Sequence, residues 1–164
     1  MFRVGILTVS DKGYRGERKD TAHLAIREAL KEGPYEVVAY EIVPDEPPMI
    51  KRVLRLWADR EGLDLILTCG GTGLGPRDRT PEATREVLER EAPGLPELMR
   101  LKGLEKTPMA ALSRGVAGVR GKALIVNLPG SPKGARESLE ALLPVLPHAL
   151  SLVTGKAWLE GAHG

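Results

Sequence analysis

Glycines are concentrated in the segment from Cys69 to Pro81, which contains Gly70-Gly71-Thr72-Gly73 and then the acidic residue of Arg77-Asp78-Arg79. Glycines let a backbone approach a ligand closely or adopt positive φ, and free amides ahead of a helix can hold an anion. The segment is neither a dinucleotide fingerprint nor a Walker A loop, because Pro76 occupies a position where those motifs need glycine or lysine. We therefore predict a phosphate site here; the alternative is a tight strand–helix turn.

Two aspartates in loops have the chemistry of a magnesium site. Asp78 lies between two arginines just before a predicted helix, and Asp45 follows the second predicted strand. Magnesium in proteins takes one or two carboxylates together with substrate phosphates, so both residues are candidate metal ligands and catalytic groups. The alternatives are local: Asp78 as a solvated loop charge or extra helix cap, and Asp45 as the N-cap of a helix beginning at Pro47-Pro48.

A second glycine-containing turn, Pro129-Gly130-Ser131-Pro132-Lys133-Gly134, follows a buried apolar strand. Ser131 and Lys133 can contact a phosphate or the edge of a heterocycle, or the turn can cap the following helix. Asn127, near the end of that strand, is the single asparagine of a chain that contains no glutamine. Its amide both donates and accepts hydrogen bonds, which suits recognition of a heterocycle.

Other reactive side chains give weaker signals. Ser10 and Asp11 end the first predicted strand and either contact a ligand or cap the loop. Cys69 has no neighbouring basic partner that would mark a nucleophile, so we expect a buried, unreactive thiol. The histidines lack the spacing of a metal triad; they are His23, His148 and His163.

Apolar runs and their spacing predict the elements that position these residues. Strands are expected over residues 2–9, 36–43, 63–68 and 122–128. Residues 10–19 are expected to form a loop, and helices are expected after Asp20, over 49–61, 81–90 and 94–106, and after Gly134, with a break near Pro144 and Pro147. Asp20 and Thr80 are the expected N-caps of two of these helices.

Strands that alternate with helices predict an α/β fold, a three-layer sandwich with a largely parallel central sheet and helices on both faces. In such sheets ligands bind beyond the carboxyl ends of the strands. Each loop with unusual chemistry follows a predicted strand, so we expect these loops to converge at one rim. The loops are those at Ser10, Asp45, Gly70 and Pro129.

Composition limits the classes of function. A chain of 164 residues fits a single domain, taken as residues 1–164, that buries a core without disulfides. A net charge of +2 without a basic run argues against nucleic acid. The first apolar run ends at Asp11, too early for a signal peptide or membrane span, and one cysteine suits the reducing cytoplasm. Scarcity of side-chain amides indicates a hot environment.

Taken together, the loops resemble the MogA/MoaB family of molybdenum-cofactor biosynthesis proteins, which includes a related domain of gephyrin. The combination of the glycine-rich run with Arg-Asp-x-Thr-Pro is highly specific, whereas the Pro-Gly-Ser-Pro turn alone would not be. The matching segments occur in order over nearly the whole chain: Thr8-Val9-Ser10-Asp11, Pro44-Asp45-Glu46, Gly70-Gly71-Thr72-Gly73, Arg77-Asp78-Arg79-Thr80-Pro81, Leu112-Ser113-Arg114 and Leu128-Pro129-Gly130-Ser131-Pro132-Lys133.

The resemblance implies an enzyme that transfers AMP from Mg-ATP to the terminal phosphate of molybdopterin and releases pyrophosphate. It places Asp45 and Asp78 at the catalytic, magnesium-binding positions. It also implies a homotrimer, alone or paired into a hexamer, and contact with a metal-insertion enzyme of the same pathway. The candidate substrate-binding residues are Ser10, Asp11, Gly70, Gly71, Thr72, Gly73, Ser113, Asn127, Pro129, Gly130, Ser131 and Lys133.

Other interpretations stay open. A MoaB-type member would bind molybdopterin without transferring AMP, and this chain is short, as such members are. A CinA-type nucleotide-hydrolysing module carries a similar glycine-rich loop, although the segment Arg77–Pro81 favours the cofactor family. A MoeA-type metal-inserting enzyme is disfavoured because its related domain sits in a much longer chain. Thr21-Ala22 departs from the family, which usually has a glycine-containing segment there, and this affects one wall of the expected pocket.

Overall fold

The computed structural model describes residues 1–157, and its central element is a six-stranded sheet. The strands are β1 (Phe2–Val9), β2 (Tyr35–Val43), β3 (Leu65–Cys69), β4 (Arg90–Glu91), β5 (Ala117–Arg120) and β6 (Ala123–Leu128). Their spatial order is β2-β1-β3-β6-β5-β4. The first four in this order run parallel, and the last two are antiparallel to their neighbours. The prediction of a largely parallel sheet is confirmed.

Helices connect the parallel strands and cover both faces of the sheet. They are α1 (Asp11–Tyr14), α2 (Ala22–Leu30), α3 (Pro47–Arg55), α4 (Thr80–Val87), α5 (Gly94–Leu104), α6 (Pro132–Leu142) and α7 (Leu146–Thr154). A π-helical turn at Leu56–Arg60 extends α3, and a 3₁₀ turn at Pro108–Leu112 follows α5. None of the helices within residues 1–157 combines the length and apolarity needed to cross a membrane.

Alternate side chains of each central strand enter two apolar layers, as the period of a strand requires. In β3, Leu65 and Leu67 pack with α2, α5, α6 and α7. The intervening Ile66 packs on the other face, with α3 and α4. Trp57 belongs to this second layer and is only 6% exposed. The predicted three-layer sandwich is therefore confirmed, with its core on both sides of the strands.

Several local expectations were wrong. Residues 11–14 form a short helix rather than a loop, because the Ser10 hydroxyl accepts a hydrogen bond from the Gly13 amide and caps it. The helix expected over 81–90 ends at Val87, because Leu88 is extended and the chain enters β4. β5 was not expected either; it forms a hairpin with β6 through Gly121, whose φ is +57°.

Two predicted helix caps also need correction. Thr80 is the first residue of α4 rather than its N-cap, which is Arg79. Thr21 occupies the N-cap of α2, but the carboxylate of Asp20 still accepts hydrogen bonds from the amides of Ala22 and His23, at 3.1 and 3.4 Å. Asp20 therefore caps α2 with its side chain, as expected, but from the residue before the N-cap position.

Candidate functional site

The four loops with unusual chemistry converge at the carboxyl rim of the parallel strands, as predicted. Asp45 and Asp11, which follow β2 and β1, join their loops through two reciprocal hydrogen bonds of 3.0 Å, each from one backbone amide to the other's carboxylate. A Cβ atom on Gly130 would lie 3.2 Å from the Cα of Gly70, so the turns after β6 and β3 touch as well.

Asp11 is held by Arg77 from the glycine-rich segment. The Nε and Nη2 atoms of Arg77 donate to the two carboxylate oxygens of Asp11 at 3.0 and 2.8 Å. The hydrogen bonds from Arg77, and then the one from the Asp45 amide, lower the pKa of Asp11. The carboxylate of Asp11 is therefore already hydrogen-bonded within the protein, and it joins the loops that carry Asp45 and Arg77.

Asp45 and Asp78 both lie at the rim without a cationic partner. Within residues 1–157 neither carboxylate has a basic group within ion-pair distance. Burial, and then the charges of Asp11 and Asp78, raise the pKa of Asp45. The expected alternative for Asp45, a helix cap, is wrong because Glu46 occupies the N-cap of α3.

Asp78 folds back onto its own loop rather than onto α4. Its Oδ2 atom accepts a 2.8 Å hydrogen bond from the Gly75 amide, and a Cβ on Gly73 would lie 3.0 Å from the same oxygen. A role of this carboxylate as an extra helix cap is therefore wrong. In residues 1–157 no group of three or more His, Cys, Asp or Glu side chains is arranged to hold a metal ion. Two carboxylates completed by substrate phosphates are nevertheless an ordinary Mg²⁺ site, which the donor set of Asp45 and Asp78 fits.

Gly70 and Gly71 have backbone conformations that side chains rarely adopt, with φ of +104° and +69°. A Cβ on Gly70 would lie 2.2 Å from the carbonyl oxygen of Val9, so only glycine lets the loop cross the end of β1. Within the described residues, no protein acceptor is bound by the amides of Gly71, Thr72 and Gly73. Three consecutive free donors suit a phosphate.

The glycine-rich loop lies between two clefts. The first, which we call the rim cleft, has a volume of about 530 Å³. The rim cleft is lined by residues that include Ser10, Arg18, Lys19, Asp20, Thr21, Ala22, Asp45, Gly70, Gly71, Asp78, Gly130 and Ser131. The departure from the family at Thr21-Ala22 thus falls on a wall of this cleft.

The second cleft lies between α5 and α6, and we call it the α5–α6 cleft. It has a volume of about 610 Å³ and a mainly apolar lining. Thr72 and Gly73 enter it from the glycine-rich loop, together with residues that include Met99, Arg100, Met109, Ser113, Asn127 and Pro129. Except for Asp11 and Lys133, the predicted substrate-binding residues are therefore divided between two cavities that share one loop.

Several predicted contact residues have structural partners or lie apart from the clefts, among them Asp11, which pairs with Arg77, and Ser10, which caps α1. The buried amide of Asn127 accepts from the Val116 amide at 3.1 Å and donates to the hydroxyls of Thr68 and Thr84 at 2.9 and 3.0 Å. Ser131 caps α6 by accepting from the Gly134 amide at 3.0 Å. Lys133 is exposed and lines neither cleft. Direct ligand contact by these residues stays a prediction.

Behind the rim cleft, a second polar network fixes the end of β1. Asp20 accepts hydrogen bonds from the Thr8 hydroxyl, at 2.6 Å, and from the Tyr40 hydroxyl. His23 stacks on the ring of Tyr40, with 4.3 Å between the ring centroids. Burial raises the pKa of the Cys69 thiol to about 11, which supports the expectation of an unreactive cysteine. His163 lies outside the described residues.

Arg114 is a residue of the site whose role the sequence did not reveal. Its guanidinium donates to the carbonyl oxygens of Gly73 and Asp78 at 2.8 and 2.7 Å and forms an ion pair with Glu82. Its place in the family-matching segment Leu112-Ser113-Arg114 was the signal available, but that segment gave Arg114 no role. Such bonds need a tertiary structure to be seen, since Arg114 is 41 residues from Gly73 along the chain.

Glycine-rich turns and an unpaired acidic pair at the carboxyl rim of a parallel sheet define an α/β protein built to bind a phosphorylated ligand. Comparison with known proteins narrows this class. Residues 5–148 match the family model described as a probable molybdopterin binding domain. The chain belongs to this family, as its motifs predicted.

Relatives cover most of the chain. A molybdopterin adenylyltransferase from Helicobacter pylori (strain J99 / ATCC 700824) is 45% identical over 157 residues, which are 94% of this chain and 89% of that protein. The molybdenum cofactor synthesis protein cinnamon from Drosophila melanogaster is 46% identical over 91% of this chain, but the chain spans only 25% of that protein.

A solved structure of the molybdopterin biosynthesis enzyme MoaB from Thermus thermophilus is similar in both sequence and fold. It is 85% identical, with a TM-score of 0.93, and the match covers 96% of this chain and 99% of that chain. The fold and the order of the site loops are therefore those of the MogA/MoaB family.

Proposed function

We propose that this chain transfers AMP from Mg-ATP to the terminal phosphate of molybdopterin and releases pyrophosphate. The observation that carries the proposal is the uncompensated pair Asp45 and Asp78, beside three free amides at the junction of two clefts. The 45% identity to a molybdopterin adenylyltransferase supports it. Phosphoryl-type transfer needs this combination, because positioning and charge stabilisation dominate its catalysis.

The division of the clefts suggests where each substrate binds. The rim cleft offers Arg18, Lys19 and both aspartates, which suits the triphosphate of ATP with its cation. The mainly apolar α5–α6 cleft offers Ser113 and a volume of about 610 Å³ for the pterin. The shared loop then receives the pterin phosphate on its amides, next to the α-phosphate of ATP.

The residues have distinct roles in this reaction. An oxygen of the pterin phosphate attacks the α-phosphorus, and the bond from that phosphorus to the bridging oxygen of pyrophosphate breaks. The free amides of the glycine-rich loop hold the attacking phosphate. Asp45 and Asp78 would hold Mg²⁺, which when bound neutralises charge that develops on the phosphates. No proton transfer by the protein is required.

The direct test is incubation of the purified protein with molybdopterin and Mg-ATP, followed by chromatography for adenylylated molybdopterin and assay of pyrophosphate. We expect both products in equal amounts. ATP hydrolysis without an adenylylated pterin would contradict the proposal and favour a nucleotide-hydrolysing module.

One observation favours a second candidate. The 85% identical structure carries the name MoaB, and a MoaB-type protein would bind molybdopterin without transferring AMP. Tight pterin binding with no AMP transfer would establish this alternative. The same incubation therefore distinguishes the two candidates.

We further infer a cytoplasmic homotrimer, alone or paired into a hexamer, that serves a metal-insertion enzyme of the same pathway. The family resemblance is the basis, and closed rings satisfy heterologous interfaces. Exposed Leu101 and Leu152, at 64% and 74%, leave apolar surface for such contacts. Light scattering should give the mass of three or six chains. Scarcity of side-chain amides also leads us to expect thermal unfolding above about 65 °C.

A further inference from the structure

Arg114 connects the two ends of the glycine-rich loop. Its Nε atom donates to the Gly73 carbonyl at 2.8 Å, and its Nη2 atom donates to the Asp78 carbonyl at 2.7 Å. Its own amide donates to the carbonyl of Thr72 at 2.8 Å. Residues 74–77 between these anchors are exposed. One guanidinium therefore fixes the distance between the free amides of Thr72 and Gly73 and the acidic end of the loop.

The remaining donors of Arg114 bind Glu82 in the first turn of α4. Its Nη1 and Nη2 atoms lie 2.6 and 3.4 Å from the two carboxylate oxygens. A planar guanidinium has five N–H donors in a rigid fork, whereas lysine presents its donors from a single nitrogen. Lysine can keep the charge near Glu82 but cannot hold both carbonyls at once.

The segment that carries Arg114 is itself anchored to α5. The Nη1 atom of Arg100 donates to the carbonyls of Ser113 and Gly115, on either side of Arg114, at 3.2 and 3.4 Å. Arg100 and Ser113 line the α5–α6 cleft, but Arg114 lines neither cleft. Arg114 can therefore act on a ligand only through the residues that it positions.

We propose that Arg114 is the positioning residue of the shared loop: it sets the amides of Thr72 and Gly73 and the carboxylate of Asp78 in one geometry. Its effect on the rate of AMP transfer rests on the proposed function, whereas its effect on the loop does not. The side chains of Arg114 and Glu82 are 32% and 40% exposed. Ion pairs this exposed add little stability, so the bonds to the carbonyls are the important ones.

The test compares Arg114→Lys and Arg114→Gln with Arg120→Lys. Arg120 is a matched control, because its Nε and Nη2 atoms bind Asp59 at 3.0 and 2.8 Å and its Nη1 atom donates to the Val87 carbonyl at 2.9 Å. It makes the same kind of clamp but lines neither cleft and does not contact the glycine-rich loop. Melting temperature, steady-state kinetics and amide hydrogen exchange of Gly75 and Asp78, whose amides are hydrogen-bonded within the loop, are measured for each protein.

We expect both Arg114 variants to exchange the loop amides faster and to lose about tenfold or more in kcat, since small misplacements are costly in transfer reactions. KM for ATP should change by less than about threefold, and melting should match Arg120→Lys. The proposal is overturned if the loop amides of the Arg114 variants exchange hydrogen no faster than those of Arg120→Lys. It is also overturned if these amides exchange faster but kcat is unchanged. If the wild type transfers no AMP, the proposed function fails. Loop exchange together with molybdopterin affinity then decides the role of Arg114.

Discussion

Asp11 and Asp45 are joined by two reciprocal 3.0 Å hydrogen bonds, yet their surroundings shift their pKa values in opposite directions. The Arg77 guanidinium lowers the pKa of Asp11, whereas burial raises the pKa of Asp45. The protein therefore neutralises one acid of the pair itself and leaves the other with unfavourable negative charge. In the proposed reaction, a cation that arrives with the substrate would offset this charge.

The raised pKa of Asp45 predicts how the stability of the ligand-free protein depends on pH. Between the unfolded pKa and the raised folded pKa, the folded state binds more protons, so this group lowers stability as pH rises through that window. The penalty is fully present above the raised folded pKa and absent below the unfolded pKa. Asp45→Asn should therefore raise the melting temperature at pH 7, and the gain should vanish in acid.

Thermal melts from pH 3 to pH 8 measure this effect, and Glu46→Gln is the matched control. Glu46 is the exposed neighbour of Asp45 and makes no side-chain cap bond. Its replacement should leave the melting temperature within about 1–2 °C. A lower melting temperature of Asp45→Asn than of the wild type at pH 7 would contradict the assignment of Asp45 as an unfavourable charge.

Replacement of Asp78 should separate catalysis from binding. Asp78→Asn keeps an oxygen that can accept from the Gly75 amide but removes the charge that Mg²⁺ needs. We expect AMP transfer to fall about a hundredfold or more, with molybdopterin affinity nearly unchanged. Quenched-flow kinetics and equilibrium pterin binding measure the two effects. Equal transfer by wild type and variant would show that Asp78 has no catalytic role.

The double variant of Asp45 and Asp78 provides a further check on a shared ion. Two ligands of one metal act as a unit, so the double variant should lose less activity than the product of the single losses. Independent, multiplicative losses would mean that the two carboxylates do not serve the same cation.

Gly70→Ala should disturb both the fold and the phosphate site. The positive φ at this position costs a side chain about 1–3 kcal/mol, and the added Cβ would also meet the Val9 carbonyl at 2.2 Å. We expect a lower free energy of unfolding in urea and weaker molybdopterin binding. Gly94→Ala is the control, since a Cβ there meets nothing within 4 Å. Equal stability of the two variants would contradict the close approach of the loop to β1.

Asn127→Ala should destabilise the protein more than it weakens ligand binding. The variant leaves the buried Val116 amide without its acceptor, and an unsatisfied buried group costs about 1–3 kcal/mol. Ser131→Ala, which removes an exposed cap of α6, should cost about 1 kcal/mol. Urea unfolding and pterin affinity distinguish the roles. A large loss of affinity at unchanged stability would instead show that Asn127 contacts the pterin.

The sequence by itself determined the layered architecture and the place of the site. Nearly continuous apolar runs such as Ala123–Leu128 are typical of strands covered on both faces, which predicts helices on both sides of the sheet. Because parallel strands end at one rim, the loops at Asp45 and Gly70 had to meet there. The sequence also predicted that glycines such as Gly70 and Gly71 adopt positive φ, because glycine is the residue that does so without steric cost.

Only the tertiary structure decided which partner each polar side chain takes. Arg77 is next to Asp78 in sequence but pairs with Asp11. The side-chain amide of Asn127 is hydrogen-bonded to Val116, Thr68 and Thr84. The short strands β4 and β5 also depend on their neighbours in the sheet rather than on their own residues, since β5 pairs with β6 and β4 pairs with β5. Hydrogen bonds and ion pairs need distances of about 3 Å, and sequence spacing does not contain those distances. The clamp of Arg114 on a loop 41 residues away was hidden for the same reason.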